Sequence, residues 1–312
     1  MTEDALDASS GTTDNLPTTK ETAIMFTIFG ATGNTASIVA TELLAQGKRV
    51  RAVVRNPAKA AALRAKGAEI FQGDVLEPAS IREALAGAEG AYLLAPPDVT
   101  APAFLARTAK IVDAYLGALA AHPLEHAVLL SSVGAQEPAG TGPIVGIHRA
   151  EEALRAVPGT VFTFLRAAYF MENLLANAQP MRDSGVLPVF GGGETYAFPM
   201  VATKDIGLAA ATALLAPPRQ TEIIELSGPG EYSMVDAANI ASEILGKTVK
   251  ATAVPIDAMV PTLTSFGFSA DMAGLYREMT EGLGAGLVRF DGKGRAARGK
   301  TPLREVLAAI KG

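Results

Sequence analysis

Residues 25–37 read MFTIFGATGNTAS and decide the fold. An apolar, β-branched run stops at Gly30, a second glycine follows at Gly33, and the amphipathic run 38–44 comes shortly afterwards. An apolar run, a glycine-containing loop and an amphipathic run in this order predict a β-strand, a tight turn and an α-helix.

The loop after this first strand has the composition of a phosphate-binding site. Gly30 allows the turn at the strand end, and Gly33 lets a ligand approach the backbone because it has no Cβ. The amides of Gly33, Asn34 and Thr35 lie at a helix N-terminus, where unpaired N–H groups and the helix dipole favour a phosphate. Thr32 completes a G-A-T-G turn, which is wider than the strict dinucleotide fingerprint. The alternative interpretation is an ordinary strand–helix turn.

The end of the second predicted strand indicates which dinucleotide binds. Strand 49–54 contains no Asp or Glu and is followed by Arg55. At this place an acidic residue holds the ribose 2′-hydroxyl of NAD, whereas an arginine accommodates the 2′-phosphate of NADP. We therefore expect NADP(H) rather than NAD(H) as the cofactor. The alternative for Arg55 is a solvated cation at a strand end.

Composition excludes several kinds of site. The 312 residues carry a net charge of −5 with scattered basic residues, which argues against direct binding of nucleic acid. The chain has no cysteine, so thiol catalysis and disulfides are excluded. Its three histidines are His122, His126 and His148, and Pro123 interrupts the helix on which the first two would have to pair. We predict no metal site.

The first 22 residues are polar and rich in small side chains, which predicts a disordered N-terminal tail over 1–22. They lack the apolar core and the early basic residues of a signal peptide. No apolar run approaches the length of a membrane span, so we expect a cytoplasmic protein without membrane contact. Met25 stands where the first strand begins and is a candidate start of the native chain.

Apolar segments then alternate with helical patterns. After the first unit, strands are predicted over 49–54, 69–71, 91–95, 126–130 and 161–165, separated by helices. This alternation predicts a parallel sheet that is covered on both faces. We expect an α/β protein with a Rossmann-type doubly wound parallel sheet, in which 23–165 form the NAD(P)-binding domain. Residues 166–312 are expected to form a smaller C-terminal substrate lobe, interleaved with returns to the main sheet.

After residue 165 the alternation loosens. The glycines at 191–193 predict a turn without a ligand. The other predictions are a helix from Phe170 to about Pro180, a helix over 206–215, a strand over 223–226, a capped helix from Ser233 through Leu245, and two helices within 257–285.

Ligands of such sheets bind outside the carboxyl ends of the strands. Asp74 follows the third strand, with Val75 beside it, and is placed to accept a hydrogen bond from an adenine amino group. The alternative for Asp74 is a turn or helix-capping residue. Ala95 and Pro96 follow the fourth strand and are expected to form an apolar wall near the ribose and the nicotinamide; the alternative is a simple strand stop.

The fifth and sixth strands supply the candidate substrate side. Ser131 and Ser132 end the fifth strand and are candidates to orient the substrate or the cofactor, with a turn or helix cap as the alternative. Tyr169, Phe170 and Asn173 follow the sixth strand and are the candidate substrate-contacting residues. The alternatives are a core position for Phe170 and a surface helix for Asn173.

Six short segments, taken together, resemble the pattern of a known protein family. They are Gly30-Ala31-Thr32-Gly33-Asn34-Thr35, Val54-Arg55-Asn56-Pro57, Gly73-Asp74-Val75, Leu130-Ser131-Ser132-Val133-Gly134, Leu165-Arg166 and Phe170-Met171-Glu172-Asn173. Over about residues 24 to 300 this set resembles the NmrA-like family of atypical short-chain dehydrogenases. The resemblance implies a Rossmann domain that prefers NADP(H) and a small C-terminal lobe. The family includes quinone and azo-dye reductases, isoflavone-reductase-type enzymes, and redox-sensing regulators with little or no catalysis.

The chain departs from standard short-chain dehydrogenases at the catalytic tyrosine. Those enzymes use Tyr-x-x-x-Lys, and none of the six tyrosines here has a lysine four residues later. In reductases of the atypical group a lysine precedes a glutamate in the helix after strand five, and His148 stands at the comparable place, ahead of Glu151. The resemblance therefore implies His148 as a proton donor. The alternative is a polar helix residue without a catalytic part.

Two functions from different classes fit these residues. The first is an NADPH-dependent oxidoreductase that transfers hydride to a small flat acceptor such as a quinone, whose oxyanion solvent can protonate. The second is a non-catalytic NADP(H)-binding redox sensor that reports to a protein partner. The missing Tyr-x-x-x-Lys disfavours a third, a nucleotide-sugar epimerase or dehydratase. The expected partners are a small-molecule substrate and a second copy in a homodimer, or a protein partner for the sensor.

Overall fold

The computed structural model describes residues 24–311, so the predicted tail over 1–22 lies outside the described residues. In chain order the strands are β1 (Met25–Phe29), β2 (Arg49–Val54), β3 (Glu69–Gln72), β4 (Gly90–Leu93), β5 (His126–Ser132), β6 (Val161–Ala167), β7 (Tyr169–Phe170), β8 (Val186–Phe190), β9 (Phe198–Val201), β10 (Glu222–Ser227), β11 (Glu231–Tyr232), β12 (Lys250–Val254) and β13 (Arg295–Arg298). The α-helices are α1 (Ala36–Ala45), α2 (Ala61–Ala65), α3 (Pro78–Leu85), α4 (Phe104–Ala121), α5 (Ile144–Arg155), α6 (Ala178–Ser184), α7 (Thr203–Leu215), α8 (Met234–Leu245), α9 (Met259–Ser265), α10 (Ala270–Gly284) and α11 (Leu303–Leu307).

The central sheet has eight strands in the order β13-β10-β6-β5-β4-β1-β2-β3. Every neighbouring pair in this sheet is parallel. The order reverses at β1, which lies between β4 and β2, so the carboxyl ends of β1 and β4 border the crevice where dinucleotides bind in such sheets. The predicted Rossmann-type doubly wound sheet is confirmed.

Helices cover both faces of the sheet, which explains why the central strands are almost continuously apolar. All five residues of β1 are buried. One core joins the sheet to α1, α2 and α7, through side chains such as Val39, Leu63 and Ile206. The second core joins the other face to α3, α4 and α5. The glycine loop after β1, residues 30–35, is thereby attached to a rigid support.

The C-terminal part of the chain builds a smaller lobe with its own core. This core brings together buried side chains of β8, β9, α8 and α11, including Leu187, Met200, Ala241 and Leu307. Two small sheets belong to this part, β11-β9-β7 and β12-β8. β10 and β13 return to the central sheet, where they pair in parallel.

The structure differs from the prediction in one helix and in several C-terminal strands that were not predicted, β8, β9, β12 and β13 among them. The segment from Phe170 was predicted as one helix ending near Pro180, but it is a 3-10 segment, Met171–Asn177, followed by α6. The helix continues through Pro180 because the proline stands in its first turn, where a backbone N–H has no helical acceptor to lose. β13 was not predicted, because its sequence Arg-Ala-Ala-Arg carries no strand pattern and pairing with β10 alone holds it in the sheet.

The predicted capped helix is confirmed. The Ser233 hydroxyl accepts from the Asp236 amide at 3.1 Å, and the Asp236 carboxylate accepts from the Ser233 amide at 2.8 Å. These reciprocal bonds form a capping box at the start of α8. Among residues 24–311 no helix combines the length and the apolar character that a membrane crossing requires.

His126 is the first residue of β5 and lies at the amino ends of the strands, on the side of the sheet away from the crevice. Its Nε2 is 2.9 Å from the Thr163 hydroxyl, and its Nδ1 is buried without a partner among the described residues. Burial lowers the pKa of His126 to about 4, against an opposing effect of the Glu222 charge. The imidazole is therefore neutral in the folded protein near pH 7.

This buried imidazole makes stability depend on pH. Because the folded pKa lies below the ordinary value, the unfolded chain binds more protons between about pH 4 and 6.5. The free energy of unfolding should therefore decrease as the pH is lowered from about 6.5 to 4, by up to about 1.4 kcal/mol per pH unit. Urea unfolding across this window should show a shallower fall for His126→Gln than for the wild type. The exposed His122→Gln is the control and should keep the wild-type slope; equal slopes for all three proteins would contradict the assignment.

Candidate cofactor and active site

The glycine loop is a tight turn at the carboxyl end of β1. Gly30 has a φ of +62°, in the left-handed region that favours glycine, and its carbonyl accepts from the Gly33 amide at 2.8 Å. A Cβ added to Gly33 would lie 3.2 Å from the Gly30 carbonyl oxygen, so a side chain there would crowd the turn. The loop therefore needs both glycines to keep its shape.

The same turn leaves backbone donors open. The amides of Asn34 and Thr35 have no acceptor within residues 24–311, and α1 begins directly afterwards at Ala36. Thr32, Gly33 and Asn34 are exposed. Unpaired N–H groups at the positive end of a helix suit an anion. The loop therefore presents open donors of the kind that a diphosphate binds, directly after β1, and its role in cofactor binding stays a prediction.

The Thr35 side chain is hydrogen-bonded to Tyr92, a residue that the sequence analysis did not identify. The Tyr92 hydroxyl on β4 lies 2.9 Å from the Thr35 Oγ1 atom, and Tyr92 is fully buried. Burial raises the pKa of Tyr92 far above its ordinary value, with the Thr35 hydrogen bond opposing the shift, so the phenol stays neutral. Nothing in the sequence around Tyr92 indicates this contact, since it reads as one more apolar strand residue.

Arg55 follows β2 with an exposed side chain. It has no ion pair or side-chain hydrogen bond within residues 24–311, whereas the neighbouring Asn56 carboxamide caps the next turn by accepting from the Ala58 amide at 3.0 Å. The Asp98 carboxylate feels the Arg55 charge but does not pair with it, so the guanidinium is available to a ligand phosphate. The placement at the end of β2 is the one that the NADP prediction requires.

Asp74 and Val75 follow β3, where hydrogen bonds within the turn occupy one carboxylate oxygen and the amide of Asp74. Asp74 Oδ1 accepts from the Leu76 amide at 3.0 Å, and its own amide donates to the Ser80 hydroxyl at 3.1 Å. The carboxylate thus shapes the turn, which was the alternative interpretation, and its second oxygen has no partner within residues 24–311. The Val75 side chain is buried in the core on the α3 side.

Ala95 and Pro96 lie just beyond β4, which ends earlier than predicted, at Leu93. Both are half-buried. The Pro96 carbonyl accepts from Arg107 Nη1 at 3.0 Å, so α4 anchors the segment. The segment is thus anchored, apolar and partly exposed just beyond β4, and its role as a wall for the ribose and the nicotinamide stays a prediction.

Ser131 is committed to a buried charge network. Its hydroxyl donates to Glu151 Oε1 at 2.5 Å, and Arg166 binds the same carboxylate through two bonds of 3.0 and 2.7 Å. Arg166 Nη1 also lies 3.6 Å from an Asp291 oxygen. Burial and a hydrogen bond with Asp291 raise the pKa of Glu225, whereas the pKa of Asp291 is lowered, so Glu225 takes up a proton before Asp291 does. The network ties the ends of β5, β6 and β10 to residues near 291.

Ser132 points to the opposite face from Ser131, as successive strand residues do. Its hydroxyl donates to the Val133 carbonyl at 2.9 Å and is half-buried. The two serines predicted as a pair therefore have different surroundings: Ser131 orients a buried carboxylate, and Ser132 lies at the strand end.

His148 lies on α5, one turn before Glu151. Its Nδ1 is 2.9 Å from the Ala135 carbonyl oxygen, so this nitrogen carries a proton and donates. Nε2 has no partner within residues 24–311, and the ring is half-buried. This bond fixes the ring and leaves Nε2 as the nitrogen that can exchange a proton with a ligand.

Tyr169 belongs to a chain of aromatic side chains beyond β6. Its ring meets Phe198 edge to face at 5.5 Å, and Tyr196 stacks on Phe198 at 6.3 Å. On α10, Tyr276 meets Phe268 in the same edge-to-face way at 5.6 Å. Burial raises the pKa of Tyr169, and Tyr276 adds a smaller upward effect, so both phenols stay neutral donors. Sequence reasoning missed Phe198 and Tyr276, which lie far away in the chain without a motif.

The other predicted substrate residues differ in exposure. Phe170 is half-buried and packs against the main core, whereas Asn173 is exposed. Between them in the chain, Glu172 caps α7: its carboxylate accepts from the Thr203 amide at 2.9 and 3.0 Å and from the Thr203 hydroxyl at 2.6 Å. Glu172 therefore has a structural partner.

α7 links this segment to the glycine loop. A Cβ added to Gly207 would lie 2.6 Å from the Ile38 Cβ atom and 2.8 Å from the Thr35 carbonyl oxygen. α1 and α7 therefore approach so closely that no side chain fits between them. The helix that Glu172 caps thus supports the cofactor loop from the side.

Other features of the described chain stand apart from these residues. A cavity of about 210 Å³ at the ends of β10 and β13 is lined by Ser227, Gly228, Phe290 and Arg298, among others, and by none of the predicted site residues. Residues 24–311 contain no group of three or more His, Asp or Glu that could hold a metal ion.

Comparisons with known proteins agree with this geometry. The sequence model of the NmrA-like family matches residues 22–284. An NAD(P)H azoreductase of Xenophilus azovorans is 27% identical over 262 residues, covering 82% of this chain and 86% of that protein. Quinone oxidoreductase 2 of Escherichia coli is 27% identical over 277 residues, covering 86% of this chain and 91% of that protein.

The solved structures include a similar fold with a cofactor bound. The crystal structure of an Escherichia coli NADPH-dependent quinone oxidoreductase complexed with NADPH superposes with a TM-score of 0.77 and 25% identity. The match covers 92% of this chain and 100% of that chain.

The contact at Gly207 yields a test with a matched control. Gly207→Ala should lower the free energy of unfolding by about 1–3 kcal/mol, because the new methyl group overpacks α1 against α7. Gly117→Ala on α4 meets nothing within 4 Å and should instead stabilise the protein, by about 0.5–1 kcal/mol. Urea unfolding measures both variants. Equal effects of the two substitutions would show that α1 and α7 are not in close contact.

Proposed function

The chain belongs to the NmrA-like family, and from this premise we propose that it is an NADPH-dependent oxidoreductase whose substrate is a small flat acceptor such as a quinone. The family and the NAD(P)H-dependent relatives support the enzyme class and the cofactor. The preference for NADPH and the quinone acceptor are the finer parts of the proposal. A cytoplasmic location and a homodimer stay predictions from the sequence.

The observation that carries the proposal is the open set of donors at the carboxyl end of β1 and β2. The unpaired amides of Asn34 and Thr35 would hold the diphosphate, and the unpaired guanidinium of Arg55 would hold the 2′-phosphate. Ala95 and Pro96 would bound the ribose and the nicotinamide. When bound, NADPH supplies a hydride at its nicotinamide ring.

The acceptor side is built from aromatic faces. Tyr169 and Tyr276 supply neutral hydroxyl groups, and the Tyr169 ring packs edge to face on Phe198. Planar aromatic surfaces bind flat conjugated molecules, and a phenol can donate a hydrogen bond to a carbonyl oxygen. The substrate-contacting roles of Phe170 and Asn173 remain part of this proposal.

Reduction of a quinone to a hydroquinone requires one hydride and one proton. We assign the proton to His148, because its imidazolium form donates from Nδ1 to Ala135 and keeps a second N–H at Nε2 for a ligand. Ser131 would act by orienting Glu151 and the end of β5, and Ser132 would contact the ligand from the strand end. Without an activated tyrosine–lysine pair, carbonyl reduction of an unactivated ketone is not expected.

The substitution Arg55→Ala tests the proposed preference for NADPH, because it should weaken the binding of NADPH selectively. Binding of NADPH should weaken about tenfold or more, because a charge-assisted phosphate contact is lost, and binding of NADH should change less than about twofold. A quinone added to the same cuvette should oxidise NADPH with the wild type, as followed at the absorbance band of the reduced cofactor.

The exposed arginine of α2 provides the control. Arg64→Ala removes the same charge from a neighbouring surface and should bind both cofactors as the wild type does. NADPH that binds but is never consumed with a panel of quinones would support the sensor function instead. A wild type that binds no NADPH would contradict both functions.

His148→Asn tests the assigned proton donor in the same assay. The asparagine amide can still donate to Ala135 but has no acidic proton to transfer. We expect kcat with the quinone to fall about tenfold to a hundredfold while the Kd for NADPH stays unchanged. A kcat within twofold of the wild type would identify solvent as the proton source and His148 as a structural residue.

A further inference from the structure

The buried hydroxyl of Tyr92 has one partner, and that partner belongs to the glycine loop. Tyr92 pairs with Ile28 across the β1–β4 ladder, which places its ring beneath the turn that follows β1. Within residues 24–311 its hydroxyl bonds to Thr35 Oγ1, at 2.9 Å, and to no other group. The contact joins the floor of the crevice to the loop that would hold the diphosphate.

The direction of this hydrogen bond follows from the two hydroxyl groups. A phenol is a stronger donor than an aliphatic alcohol and a weaker acceptor, so Tyr92 donates and Thr35 accepts. The Thr35 hydroxyl can then donate its own proton to another group. No acceptor for it exists within residues 24–311, although Thr35 is only 7% exposed. Because buried polar groups are normally satisfied, the missing acceptor points to a ligand.

The rest of Thr35 is already fixed. Its carbonyl accepts from the Ile38 and Val39 amides, both at 3.1 Å, and α7 lies against it at Gly207. Its amide has no acceptor within the described part of the chain. The two remaining donors of Thr35, the amide and the hydroxyl, therefore belong to the open set at the end of β1.

We propose that Tyr92 is a positioning residue for the cofactor. By donating to Thr35 it orients the Thr35 hydroxyl proton toward a diphosphate oxygen of NADPH. The bonds from Tyr92 to Thr35 and from Thr35 to the phosphate would form a hydrogen-bonded series, in which each bond polarises the next. A bond to a charged acceptor is also stronger than one between neutral groups. The proposal rests on the cofactor half of the proposed function and is independent of the acceptor.

Titration of the full-length chain with NADPH tests the series. Tyr92→Phe should raise the Kd for NADPH about fivefold to tenfold, as expected for one buried hydrogen bond. Thr35→Val should raise it at least as much, and the double variant should be no weaker than Thr35→Val alone, since both changes break one series. Adenosine 2′-monophosphate, which has no diphosphate, should bind all of these proteins within about twofold of the wild type.

Two further variants separate positioning from general loosening. Thr35→Ser keeps the hydroxyl and should stay close to the wild type. Tyr115→Phe removes another fully buried phenol hydroxyl, which donates to the Leu94 carbonyl at 3.0 Å, and should leave the NADPH affinity unchanged.

Three results would overturn the proposal. They are wild-type NADPH affinity in Tyr92→Phe, additive losses in the double variant, and an equal loss for adenosine 2′-monophosphate. If Tyr92→Phe does not fold, equal NADPH affinity of Thr35→Val and Thr35→Ser overturns it as well. A wild type that fails to bind NADPH would instead contradict the proposed function.

Discussion

The bond from the Gly33 amide to the Gly30 carbonyl is the constraint on which the site depends. It closes the turn after β1 within four residues, so that α1 begins at once and the amides of Asn34 and Thr35 are left without acceptors. The turn requires a positive φ at Gly30 and no side chain at Gly33. Backbone groups that are unpaired in this way would be costly in a buried core, but at the open edge of a sheet they form an anion site.

The cofactor side and the acceptor side of the molecule are connected through α7. Glu172, beside the candidate substrate residues, caps the start of this helix at Thr203, and Gly207 one turn later lies against Thr35. A second connection runs through the buried network of Ser131, Glu151 and Arg166 to Asp291. Both connections consist of hydrogen bonds, ion pairs and close packing between buried or half-buried groups, which restrict how the two sides of the crevice can move relative to each other.

The sequence predicted the central sheet and the cofactor loop because both depend on local signals. Apolar runs, glycines and the arginine after β2 are read directly from neighbouring residues. Tyr92 could not be found this way, because its contact with Thr35 joins a strand and a loop that are distant in sequence. Tyr276 could not be found either, because its effect on Tyr169 comes from a helix far along the chain. Ser131 was recognised as a strand-end residue, but its partner Glu151 follows from the packing of α5. β13 carries no pattern at all and is formed by pairing with β10.

The central claim is that the glycine loop holds the diphosphate of NADPH, and the amide signals of this loop test it most directly. In nitrogen–proton spectra of the deuterated full-length protein, the Asn34 and Thr35 amides should shift downfield when NADPH is added, and their hydrogen exchange should slow. These changes are expected because two unpaired donors gain phosphate acceptors. The Gly33 amide, already bonded to Gly30, should change less. If NADPH binds while the Asn34 and Thr35 signals stay unchanged, the loop does not hold the diphosphate and the account is contradicted.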